Sequence, residues 1–239
     1  MNDLEPAGRN RIADRFGGKD MPLNNPPPLQ EDVASVLASA QTLVPWIAAR
    51  QDGIDIKALD AARIPGVLLD LCLEHHVGIV HLVSGRMTGS AFALIRAQFE
   101  TLVRALWLHL CATPEELQAF ANSDHLPLKF GPMVAAIESH PSFEDKVLSG
   151  IKLNAWKAMN GYTHGGMHQV ARRIKSGSIE PNYEPEEVIE VLKASGFFAL
   201  MALQQIGRIA SDEVLVSDVC ALLRGPKRDL EISPSPHIG

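Results

Sequence analysis

Two stretches of this chain gather the residue types that carry out acid–base and anion chemistry. The first is "NGYTHGGMHQVARR", residues 160–173, in which Tyr162, His164, His168 and Arg172 sit among three glycines. The second lies within "FALIRAQFETLVRALWL", residues 92–108, where Arg96, Glu100 and Arg104 recur at i, i+4 and i+8. At about 100° per residue, three such positions fall within about 80° of a helix circumference, one turn above another. Glu100 is therefore bracketed by two guanidinium groups. One use of that arrangement is anion binding, with the carboxylate orienting the guanidinium forks whose remaining N–H groups meet a ligand. The other is structural, a self-neutralising ladder that makes charge tolerable on a buried helix. The residues leave both open.

The histidine stretch supports three readings. Gly161 suits a turn or helix end, and Gly165–Gly166 permit close backbone approach or positive φ. If a helix begins near residue 164, then His164, His168 and Arg172 fall at the same i, i+4, i+8 pitch as the arginine stripe. The two stripes are then expected to face one another across a helix pair. In the first reading the histidines are satisfied by neighbouring carbonyls or carboxylates. In the second, an imidazole that titrates at about 6.5 works as general acid or base beside arginines that stabilise an anion. In the third, His-x3-His puts two imidazoles on one face for a metal ion. No glutamate follows the first histidine, and the arginines would repel a cation, so the stretch calls for no metal and no cofactor. His75, His76 and His81 in "CLEHHVGIVHLV" read as structural or surface residues, since adjacent histidines point to different faces.

The elements that must position these residues are helices. The 239-residue chain is 46% hydrophobic and 21% charged, with aromatics at only 5%, so its core is expected to be mostly Leu, Val, Ile and Ala. Apolar residues recur with period 3.6 from "EDVASVLASAQTLV", where Pro45 is expected to kink or end the helix, through "PGVLLDLCLEHH", with Pro65 near the first turn. The longest helix is expected over 87–112, and Thr113, Pro114 and Glu116 then spell a capping box. Shorter helices are expected around 131–140, 142–149 and 150–160, a long one from Pro185, and a short one ending near Leu223. No segment alternates with period 2. The fold class is all-α: a single bundle of about six to nine helices over residues 31–223, between disordered tails at 1–30 and 224–239.

The net charge of −6 argues against a broad nucleic-acid footprint, although a local basic pocket remains compatible with it. Cys72, Cys111 and Cys220 have no metal or disulfide spacing and read as reduced, buried thiols. The N-terminus lacks an apolar signal region, and "SGFFALMALQQIG" falls short of the about 20 apolar residues that span a bilayer. The expectation is a cytoplasmic protein without membrane partners.

"RALWLH", residues 104–109, fits the R-x4-H signature of HEPN-type ribonucleases. A chain this rich in arginine and histidine supplies such a pair by chance, and residues five apart on a helix stand about 140° apart. The residue after the arginine is Ala105, where that family commonly has a polar side chain. A broader pattern is the R-x3-E helix in "FALIRAQFETLVRALWL" followed some fifty residues later by "MNGYTHGG". In this the chain resembles uncharacterised bacterial all-helical proteins distantly grouped with HEPN-like and abortive-infection families, over roughly residues 64–210. On that pattern Arg96, Glu100, Tyr162 and His164 carry over directly, and Arg104, His168 and Arg172 extend it by spacing. The resemblance implies a small helical bundle, often a homodimer, acting on RNA in toxin–antitoxin or phage-defence systems. Two functions follow. One is a metal-independent ribonuclease or RNA-binding protein, in which His164 or His168, with Glu100, does the proton chemistry while Arg96, Arg104, Arg172 and Tyr162 hold substrate. The other is a non-catalytic binding or oligomerisation module, whose cluster is an ion network or a pocket for a small anionic ligand.

Overall fold

The computed structural model describes residues 31–56, 60–143, 146–175 and 178–224. Among them are nine helices: α1 (Glu31–Gln51), α2 (Asp60–Ser84), α3 (Thr88–Leu110), α4 (Pro114–Ser123), α5 (Phe130–Glu138), α6 (Val147–Thr163), α7 (Met167–Ala171), α8 (Pro185–Ala210) and α9 (Glu213–Leu223). The all-α bundle expected from the period of the sequence is the observed fold. Its one departure is a two-residue antiparallel pairing, β1 (Ile174–Lys175) with β2 (Ser178–Ile179), in which Ile174 faces Ile179.

α3 is the central element, because it is apolar on nearly every side. Phe92, Ile95, Phe99, Leu102, Leu106 and Leu108 are all buried. The turn at 85–87, with Arg86 at φ 61°, folds α3 back along α2. α8 packs across α1, α2 and α3, α9 closes over α8, and α5 and α6 cover the other flank of α3. Phe99 joins the two flanks: it stacks on Phe198 of α8 at 5.0 Å and meets Phe130 of α5 edge-on at 5.4 Å. The capping box forms as expected, with Glu116 N donating to Thr113 Oγ1 at 3.2 Å and Thr113 N donating to Glu116 Oε2 at 2.8 Å.

Several boundaries differ from the sequence expectation. α1 runs through Pro45 to Gln51, because an exposed proline removes only one hydrogen bond while buried Leu37, Ala40 and Ile47 anchor both sides of it. α2 begins at Asp60, so Pro65 lies inside the helix rather than in its first turn. The two helices expected at 142–149 and 150–160 are one, α6. Of the expected tails, only Arg224 lies within the described residues. The helices are also more apolar over their length than the longest uninterrupted apolar run suggests. Asp32–Gln51, Ala61–Ser84 and Pro185–Ala210 are long and apolar enough, by length and composition alone, to cross a membrane. Their polar residues fall in ones, twos and threes, such as Glu74–His75–His76 and Gln204–Gln205, which shortens any continuous apolar run while the mean hydropathy stays high.

A polar cluster is sealed where α2, α3 and α8 meet. Gln98 donates to the carbonyls of Cys72 (3.2 Å) and Ser195 (3.0 Å), and His76 Nδ1 lies 2.8 Å from Ser195 Oγ. His76, Gln98 and Ser195 are fully buried, and His76 Nε2 and Gln98 Oε1 have no hydrogen-bond partner among the described residues. Burial holds His76 down at a pKa of about 4 and pushes the neighbouring Cys72 thiol well above the usual range. Cys72 is buried, Cys111 and Cys220 are half-buried, and all three are free.

Candidate functional site

Arg96 organises the arginine stripe. Its Nε donates to Glu100 Oε1 at 2.8 Å, its Nη2 reaches the same oxygen at 2.7 Å, and its Nη1 donates to His164 Nε2. An arginine only donates, so His164 Nε2 is the acceptor and the ring proton sits on Nδ1. The guanidinium carbon also stands over the Trp156 ring, 5.1 Å from its centroid, while Phe130 stacks on that indole at 4.2 Å. Trp156, held in place by Phe130, supports Arg96 through a cation–π contact. Arg96 is thus fixed from three directions: a carboxylate, an imidazole and an indole.

Arg104 is held far more loosely. Its Nη2 comes no closer than 3.6 Å to Glu100 Oε2, and its side chain is 43% exposed, against 19% for Arg96 and 20% for Glu100. The face carries two guanidinium groups against one carboxylate, beside the exposed imidazole of His164. On a chain of net charge −6 this is a local positive excess. The ladder therefore lies half-buried along α3, and only its Arg96–Glu100 half is closely paired.

The histidine stretch does not form the helix expected of it. α6 ends at Thr163 and His164 is its C-cap, with His164 N donating to Asn160 O at 3.1 Å. Gly165 then takes φ +63°, and Gly166 N donates back to Gly161 O at 2.8 Å. That left-handed glycine with a six-to-one bond is the Schellman termination, so the chain leaves the helix where the stripe was expected to begin. α7 starts afresh at Met167, and Arg172 is its C-cap. His164, His168 and Arg172 consequently share no stripe, and Glu100 meets neither His168 nor Arg172.

Tyr162, His168 and Arg172 belong to a second cluster, centred on Glu187 of α8. Arg172 Nε donates to Glu187 Oε2 at 2.6 Å and its Nη2 to Oε1, while Tyr162 Oη donates to Oε1 at 3.3 Å. Glu187 also caps its own helix, accepting from Glu184 N at 3.2 Å. Burial, then the Glu187 charge, push the Tyr162 phenol above its usual range, and the Glu187 hydrogen bond holds Arg172 firmly charged. The His168 ring lies 5.9 Å from Tyr162, against Gly161, where a Cβ would stand 2.6 Å from His168 Cδ2. One carboxylate accepts from a guanidinium, a phenol and a backbone amide here. Its work is to clasp the α6–α7 turn onto α8.

Of the seven candidate residues, the structure brings Arg96, Glu100, Arg104 and His164 together and places Tyr162, His168 and Arg172 in the neighbouring clasp. The arrangement can grip an anion; its imidazole is exposed, and no acid stands against the free side of Arg104 among the described contacts. The sequence reading missed Glu187 and Trp156. "NYEPEEV" did carry a signal for the first, since Pro185 at the first helical position with an acid two residues on is a capping pattern. Arg104 and His109 diverge as their spacing requires, the first toward Glu100 and the second onto Gln205 of α8. Among the described residues no three His, Cys, Asp or Glu side chains are grouped to hold a metal ion.

Residues 69–227 match a family described as a family of unknown function, DUF6988, and the chain belongs to that family. The matched span includes both clusters and omits α1. No curated protein and no solved structure matches the chain.

Proposed function

We propose that this DUF6988 protein is a non-catalytic helical binding module that takes up a small phosphate-bearing anion on the α3–α6 face. The observation that carries the reading is the asymmetry of the stripe. Glu100 fixes Arg96, while Arg104 stands at 3.6 Å with its fork open to solvent. Arg104 and the free N–H groups of Arg96 donate to the anion, and His164, whose Nδ1 carries the proton in this arrangement, adds a third donor. Two arginines and one histidine suit a single phosphate better than a polymer backbone, which is gripped by many cations spread over a surface. Calorimetric titration with inorganic phosphate tests this: Arg104→Gln is expected to weaken binding about tenfold, the usual effect of losing one charge-assisted hydrogen bond. Absence of saturable binding to the wild type would overturn it.

The exposure of His164 beside Arg96 favours a second reading, the metal-independent ribonuclease or RNA-binding protein that the HEPN-like resemblance implies. His164 would release Arg96 and accept the proton of a 2′-hydroxyl through Nε2, while Arg96 and Arg104 neutralise the phosphorane. EDTA-resistant cleavage of labelled RNA that disappears in His164→Ala, with the melting temperature kept, would select this reading. We further propose a cytoplasmic homodimer. Support for a partner comes from Met167, Val170, Ile174 and Ile179, which stand exposed on α7 and the hairpin. Support for an aqueous location comes from the packing of α2 and α8, two of the three helices apolar enough to span a membrane, against each other and around α3. Sedimentation showing only a 26.0 kDa species would remove the dimer.

A further inference from the structure

On the side of the bundle where α2 begins and α3 gives way to α4, a groove of about 590 Å³ opens between the three helices. Ile64 of α2, Leu108 and Ala112 at the end of α3, and Leu117 and Ala121 of α4 make its walls apolar. Its size is that of a metabolite site, since such sites run about 300–1,000 Å³. His109 lines the groove as well, and it is the one ionisable side chain among the described lining residues.

The environment of His109 gives the groove a chemical direction. Its Nδ1 meets Gln205 Nε2, and an amide nitrogen can only donate, so Nδ1 accepts and the ring proton sits on Nε2. The ring therefore keeps a single N–H donor beyond Gln205. Burial first, then the neighbouring Arg208 and His140, lower the pKa of the imidazole from its ordinary value. Both acids of α4 are turned onto Thr113 at its N-cap: Glu116 accepts from the Thr113 backbone N, and Glu115 from its side chain. One end of an apolar groove thus carries an N–H donor fixed by Gln205, with the Arg208 charge in its neighbourhood.

We propose that this groove binds an apolar monocarboxylate, with the hydrocarbon body along Ile64, Leu108 and Leu117 and the carboxylate at His109 within reach of the Arg208 charge. The site is separate from the α3–α6 face and does not depend on it. A neutral imidazole suits the task because it donates to the carboxylate without the cost of burying a charge of its own.

The test uses the full chain, with decanoate below its micelle concentration and decanol as the uncharged comparison, each followed by calorimetry and by thermal shift. Decanoate is expected to bind saturably, to raise the melting temperature, and to bind about tenfold more tightly than decanol. Ala121→Trp, at an exposed helical position on the wall, should abolish binding while the melting temperature of the free protein stays put. Arg208→Gln should narrow the decanoate–decanol gap, and Arg104→Gln should change nothing, which separates this site from the phosphate face. Equal binding of decanoate and decanol, no saturable binding at all, undiminished binding to Ala121→Trp, or loss of binding in Arg104→Gln would each overturn the proposal. His109 itself is left unsubstituted in the test, because its removal strands the buried Gln205 amide.

Discussion

Acidification should destabilise this protein above all through His76. The imidazole is fully buried between α2 and α8, bonded on one side to Ser195 Oγ at 2.8 Å, with its other nitrogen unpaired among the described residues. Burial lowers its pKa from 6.5 to about 4. The unfolded chain therefore takes up a proton at about 6.5 while the folded chain resists until about 4. A group depressed in the folded state costs nothing above its unfolded value, and stability is lost as pH falls from there through the folded value. At about 1.4 kcal/mol per unit, the loss approaches about 3 kcal/mol by pH 4. That is a large share of the 5–15 kcal/mol that holds an ordinary domain together. The assay is urea denaturation at stepped pH for wild type and for His76→Leu, whose Ser195 hydroxyl can turn to the carbonyl one helical turn back. Other titrations cancel in the difference between the two proteins. These include His75, also lowered by burial, and Glu190, which burial raises and which therefore changes stability in the opposite sense. The difference should close by about 3 kcal/mol between pH 7 and pH 4. Parallel curves across that window would refute the reasoning.

Packing around α6 and the Glu187 clasp sets three further outcomes. Gly161→Ala puts a methyl 2.6 Å from His168 Cδ2 and should cost about 1–3 kcal/mol in chemical denaturation. Gly150→Ala, on the same helix with nothing within 4 Å, should instead gain about 0.5–1 kcal/mol. Glu187→Ala leaves Arg172 and Tyr162 partly buried without their shared acceptor, so denaturation should show a loss of about 2–4 kcal/mol, while phosphate binding at Arg104 stays as in the wild type.

How much of this was legible in the sequence depends on the range of the interaction. The fold class, the capping box at Thr113 and the placement of Glu100 between two arginines are set by spacing along one helix, and spacing is printed in the chain. The end of α6 was also printed, in Gly165–Gly166, but an equal-pitch match with the arginine stripe drew the helix across it. A left-handed glycine breaks such a match whatever side chains flank it. The division into two clusters was not legible, because it depends on Glu187, some twenty-five residues beyond Tyr162, choosing Arg172 as its partner. Likewise His76 looked like a surface or structural histidine among three. Only the crossing of α2 with α8 reveals that it is the one sealed in the core, while His81 stays exposed and bonds back to Val77 O at 2.9 Å.

The central claim is that a pre-organised Arg96 and a loose Arg104, with His164 beside them, form a site for a small phosphate-bearing anion. Nitrogen-detected NMR of the arginine Nε and histidine ring resonances during titration with inorganic phosphate reads those groups individually. The account predicts saturable shifts at Arg104 and His164 that share one dissociation constant, with little change at Arg172 in its clasp. Movement of Arg172 with Arg104 and His164 silent, or no saturation at any of them, would contradict it.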